Sequence, residues 1–140
     1  MIGSDTMIEN WIVPCNLKFF DVVDYFDNHE TIIWKRGSAI HEKDLVFIYI
    51  GAPLSEIKFK CEVVQEKVSI DEIMKNKYAI KSDAPIKENK YMKLRLLEKY
   101  PDGVLSWGQL KKHGLGQVQI QARTDRKLLA YIQETVKNYG

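Results

Sequence analysis

Cysteine is scarce in this sequence: Cys15 and Cys61 are the only two in 140 residues, and each sits inside an apolar stretch. Two such cysteines make neither a disulfide framework nor a zinc pattern. Both are expected to be buried free thiols, which suits a reducing cytoplasmic location. No apolar run approaches the roughly 18 residues that a membrane-spanning helix needs, so a membrane partner is not expected. The opening residues MIGSDTMIEN have no basic stretch followed by an apolar one, which argues against a secretory signal. Residues 1–7 are read as a loose or expression-derived extension, and 8–140 as one domain.

Recognisable catalytic chemistry is also missing. His29, His41 and His113 have no ligand-spaced partners. The H-E-x-x-H, G-x-S-x-G, Walker and G-x-G-x-x-G patterns do not occur. Cys61 alternates with Ile57, Phe59 and Val63 toward a core, where a nucleophile would be useless. Carboxylates are plentiful, yet no two stand out as an acid and base pair. No catalytic residue, metal or cofactor is therefore expected.

What is present is an ordinary globular composition, 45% hydrophobic and 29% charged, with a net charge of +2 that is unevenly spread. Residues 1–30 carry a net −5, residues 31–108 a net +3 and residues 109–140 a net +4. That distribution permits one basic face and hints at a polyanionic partner.

Periodicity predicts strands at Asn10–Cys15, Thr31–Lys35, Asp44–Gly51, Glu56–Val63 and Met92–Leu96. Pro14 should confine the first of these to an edge or an end. Asn16 is a candidate cap for a helix whose apolar face is Phe19, Val22, Val23 and Phe26. Ser69 and Ser106 are candidate caps of two short helices, and Gly114 should stop the second. Thr124 is a candidate cap of a final helix with Leu128, Tyr131, Ile132, Thr135 and Val136 on one face. The stretch 79–89 is predicted to be a loop. A central antiparallel hairpin without a βαβ series argues for an α+β fold with a curled or closed sheet.

The segment IIWKRGSAI (residues 32–40) carries the strongest functional signal. A strand delivers a tryptophan to its tip, and two cations, a glycine and a hydroxyl follow at once. Such a tip is either a core tryptophan before a polar loop or a pocket wall beside a phosphate-binding rim.

The order of elements around that segment resembles the EVE domain, a member of the PUA-like group that includes the YTH and ASCH domains. The resemblance rests on a tryptophan-bearing strand ending in Pro14-Cys15-Asn16, a helix, a strand ending at Trp34, then KDLVFIYIG and IKFKCEVV. It covers about residues 8–137, with Trp11–Asn16 and Ile32–Val64 as its diagnostic part. It implies a PUA-like small β-barrel of five to six strands with flanking helices. It further implies a non-catalytic reader of nucleic acid carrying a modified base, with methylcytosine in DNA ahead of RNA. Modules of this kind stand alone or beside restriction and RNA-processing machinery, so such an effector is a possible partner. ASCH relatives that act as ribonucleases or amidohydrolases carry a G-x-K-x-x-E-x-R pattern; Gly37–Lys43 keeps the glycine but not the full pattern. A plain protein-interaction module is the other alternative.

Reading an extruded base needs a ring to stack on and polar groups aimed at the base edge. Trp34 would be the ring, with Trp107 or Tyr49 as a second wall and Ser38 and Asn16 as polar contacts. Gly37 would allow close approach of the backbone. Lys35 and Arg36 would meet adjoining phosphates, with Lys111, Lys112 and Arg123 as a further basic flank. Each has a plain rival: core packing for the aromatics, helix capping for Asn16, a loop role for Ser38, a solvated face for the cations. Trp11, followed by Ile12 and Val13, is assigned to the core.

Overall fold

Alternation along the strands sorts the side chains onto two faces of a single sheet. The computed structural model describes residues 7–75 and 86–139. Its strands are β1 (Asn10–Cys15), β2 (Thr31–Lys35), β3 (Leu45–Ile50), β4 (Glu56–Gln65), β5 (Tyr91–Lys99) and β6 (Ala122–Arg123). The helices are α1 (Val22–Tyr25), α2 (Ile70–Lys75), α3 (Trp107–Lys112) and α4 (Arg126–Val136). The strands form one mixed sheet in the order β2-β5-β4-β3-β1-β6, with β1 parallel to β3 and every other pair antiparallel. This is an α+β, PUA-like architecture, and among the described residues no backbone pairing joins β2 to β6 to close the sheet.

One face carries Trp11, Val13, Val46, Ile48, Phe59, Cys61, Met92 and Leu94, sealed by Val22 of α1 and by Phe26 just after it. The other carries Ile12, Phe47, Tyr49 and Ile57 against Leu110 of α3 and Leu128, Ile132 and Val136 of α4. Each fully buried Leu, Ile or Phe contributes about 1.5–3 kcal/mol, so the two layers hold the sheet from both sides. Both cysteines are buried and unbridged. Burial pushes the Cys61 thiol well above its ordinary range, so it stays protonated and unreactive.

Register shifts in the β3–β4 and β4–β5 pairs, between Ile48 and Tyr49, Lys60 and Cys61, and Val63 and Gln65, curl the sheet. The curl brings its two edges, β2 and β6, toward each other. Pro14 lies past the last β6 pair, where one side of β1 is uncovered, as a residue without an N–H requires.

Several local expectations are corrected. Asn16 does not cap α1: its Oδ1 accepts from the Lys18 amide within a turn, and Asp21 caps the four-residue helix by accepting from Asp24. Phe19 consequently points outward, at 75% exposure. Asp125, not Thr124, caps α4 by accepting from the Leu128 amide; Thr124 instead donates to the Asn10 carbonyl. Ser106 holds the N-cap position of α3 without a side-chain bond, whereas the Ser69 hydroxyl accepts from the Glu72 amide. At the end of the predicted 79–89 loop, residues 88–90 form a 3-10 turn, and residues 79–85 lie outside the described residues. The two-residue strand β6 was not predicted, because two residues show no periodicity. Among the described residues no helix is long and apolar enough to cross a membrane.

Candidate nucleic-acid interface

Trp34 comes at the end of β2, on the face that carries Met92 and Leu94, and there it is only half-buried. The Phe20 ring meets it edge-on, with centroids 6.4 Å apart and planes at 70°. Phe20 is placed by the turn after β1: its amide donates to the Asn16 carbonyl, 3.2 Å away, and its own carbonyl accepts from the Cys15 thiol. The β1–α1 turn and the tip of β2 are thereby brought together, with Asn16 exposed on the turn. The ring is not sealed beneath its neighbours.

The loop following Trp34 is held from inside by Arg36. Its guanidinium donates to the carbonyls of Ile40 (2.6 Å), Asn89 (3.0 Å) and Ser38 (3.4 Å) and pairs with Glu66 at 3.3 Å. With its side chain 9% exposed, Arg36 staples the loop and has little of its charge left for a phosphate. Lys35, by contrast, is exposed. Ser38 is exposed on the same loop.

Glu66 also accepts from His41 at 3.2 Å, and this contact, ahead of the Glu42 backbone bond and the Arg36 charge, lowers its pKa from the ordinary carboxylate value. A depressed folded-state pKa stabilises the protein above the unfolded value, about 4.3 for glutamate, and that benefit fades as pH falls through the folded one. Glu66→Gln should therefore cost about 1 kcal/mol or less at neutral pH, as befits a partly solvated pair. Denaturant titrations at descending pH should show the gap to the unsubstituted protein closing in acid. A gap that is constant with pH would assign the loss to packing.

Sequence reasoning missed Gln121. It precedes β6, and its carboxamide spans the seam to the tip of β2: Nε2 donates to the Lys35 carbonyl (2.7 Å) and Oε1 accepts from the Gly37 amide (2.8 Å). A Cβ on Gly37 would lie 2.8 Å from that Oε1, so glycine is what lets the carboxamide approach. A lone glutamine in an aperiodic stretch offers no local signal for a contact spanning 86 residues.

The remaining candidates are elsewhere. Tyr49 and Trp107 belong to the layer on the other face of the sheet, Tyr49 buried within it and Trp107 packed against it. The sheet separates them from Trp34, so neither is its second wall; Phe20 is the aromatic in contact. Burial raises the Tyr49 pKa, partly offset by a bond to Ser55. Lys111 lies over the Trp107 ring at 4.8 Å, and Lys112 is exposed beside it, so both accompany the opposite layer. Arg123 sits 4.9 Å over the Trp11 ring and pairs with Glu9 at 3.2 Å, yet its side chain is 55% exposed. Two residues beyond Gln121, it adds a cation to the seam. Trp11 is buried in the core, its Nε1 donating to Asp44.

The architecture is that of EVE and ASCH domains within the PUA-like fold. The chain is similar to human THYN1, whose structure is a complex with DNA containing 5-methylcytosine, at TM-score 0.63 and 11% identity over 90% of this chain and 96% of that one. It is similar to a single-residue variant of an ASCH protein of Zymomonas mobilis, at TM-score 0.60 and 11% identity over 94% and 97% of the two chains. A protein of Leishmania major matches at TM-score 0.63 and 16% identity, over 94% and 96%. No protein-family profile matches the sequence, and no curated protein aligns with it significantly. Likeness at such low identity establishes the fold.

Proposed function

We propose that this protein is a non-catalytic nucleic-acid-binding module that takes a modified base against Trp34, with 5-methylcytosine in DNA as the first candidate. The observation that carries the reading is the half-buried Trp34 ring at a strand tip, beside the glycine-containing loop and exposed Lys35. A base stacked on such a ring gains about 1–3 kcal/mol. Phe20 is its aromatic neighbour, Asn16 and Ser38 supply polar groups at the rim, and Lys35 and Arg123 meet the flanking phosphates. The complex of the structurally similar THYN1 with 5-methylcytosine DNA supports DNA ahead of RNA. A reader has no output of its own, so an effector such as a restriction or RNA-processing protein would act on the bound mark.

Fluorescence anisotropy with matched oligonucleotides, cytosine against 5-methylcytosine, tests this reading at two salt concentrations. Burial of the methyl group should favour the marked strand about fourfold. Two duplex phosphate contacts should give a salt slope of about −1.8, or roughly a tenfold loss between 50 and 200 mM salt. Labelled RNA should remain intact on incubation. Absence of binding to every oligonucleotide at low salt, or cleavage of the RNA, would overturn the reading.

A further inference from the structure

The contact between Gln121 and the tip of β2 has the chemistry of base recognition. β2 is an edge strand of the sheet. The Arg36 amide donates to the Lys90 carbonyl across the β2–β5 pair, so the alternate residue Lys35 aims its own carbonyl away from β5, off the edge. That carbonyl and the Gly37 amide make an acceptor and a donor side by side, immediately after Trp34 and with no side chain on Gly37 to screen them. A primary carboxamide answers with one N–H and one C=O held in a plane. The N4 amine and N3 lone pair of cytosine form the same planar donor–acceptor pair, on the Watson–Crick edge by which an extruded base is read.

We infer that the Lys35 carbonyl and Gly37 amide are the rail that reads the base edge, and that the Gln121 carboxamide is an intramolecular stand-in the base displaces. The inference rests on the reading of Trp34 as the stacking platform and adds to it the edge contacts and their competitor. The carrier of Gln121 is suited to displacement. Residues 115–121 form neither helix nor strand. Gly114 enters this stretch at a φ of 106°, and Ile120 is 75% exposed. A hollow of about 190 Å³ lies between this segment, Ile12 and Leu128. Swinging the carboxamide away by side-chain rotation breaks two hydrogen bonds, while Leu115 and Val118 of the same segment keep their packing on the layer beneath.

A stand-in and a mere seam brace predict opposite signs. Because the competent state is populated only when Gln121 lets go, Gln121→Ala should tighten binding of a 5-methylcytosine oligonucleotide by about five- to fiftyfold. Gln121→Asn, too short by one methylene to reach both groups, should act in the same direction and serves should the alanine variant fold poorly. Adding Gly37→Ala to Gln121→Ala should abolish the gain, because a methyl group then screens the rail. Unchanged or weaker binding by both position-121 variants overturns the inference while leaving the reader intact. Silence from the unsubstituted protein and all variants toward every oligonucleotide removes the reader and the stand-in together.

Discussion

Trp34→Leu should weaken binding of a 5-methylcytosine oligonucleotide by about 5- to 100-fold, the equivalent of losing the roughly 1–3 kcal/mol of one stacked base. Leucine keeps an apolar contact for Phe20 and the inner layer but has no π-face. The half-buried position makes the accompanying stability loss small, about 1 kcal/mol, since part of the ring is already in water. Trp34→Phe should retain most of the affinity, as a smaller ring still stacks. Anisotropy titrations paired with urea unfolding separate the two quantities. A leucine variant that binds as tightly as the unsubstituted protein would show that the base lies elsewhere; one that unfolds would return the ring to the core.

A comparably large effect on stability is expected at Asp44. This carboxylate is 4% exposed and accepts three hydrogen bonds: from the Glu9 amide to Oδ1 (3.1 Å), and from the Trp11 indole (2.9 Å) and His41 amide (3.0 Å) to Oδ2. It thereby ties β1 to the turn that starts β3. Asp44→Ala removes the acceptor and strands donors, of which the buried indole N–H is the costliest. A stranded buried donor costs about 1–3 kcal/mol, so a total loss of about 3–5 kcal/mol is expected in denaturant unfolding. Trp11→Phe deletes that indole donor. Combined with Asp44→Ala it should therefore cost less than the sum of the single changes, by about 1 kcal/mol or more. Strict additivity would mean that the Trp11–Asp44 bond contributes nothing.

The strands were readable because period-two alternation is local: Phe59, Cys61 and Val63 share one face as their spacing demands. Ile57, expected beside them, is turned to the other layer by the bulge where Ile48 and Tyr49 pair with β4. The burial of both cysteines and of Trp11 followed from their apolar neighbours. Helix caps were less legible, since Asn16 and Asp21, or Thr124 and Asp125, are nearby candidates of similar propensity. Which one caps depends on where the preceding strand releases the chain.

Lys35 and Arg36 make the same point at the site. In sequence they are two neighbouring cations after a tryptophan, yet Lys35 is exposed and Arg36 is turned under the loop to Glu66 and three carbonyls. Alternation at a strand end decides this, and the partners waiting on each side come from distant segments.

From the chain alone came the α+β class, the hairpin at its centre and the proposal that a ring beside a glycine and a cation is presented at a strand tip. These rest on contacts and torsions spanning a few residues. Tertiary structure was needed to set Tyr49 and Trp107 behind the sheet, to put Phe20 against Trp34 and to bring Gln121 to the edge of β2. Those placements depend on how far a bulged sheet curls before its edges meet, a sum of small bends over every strand that no short stretch of sequence encodes.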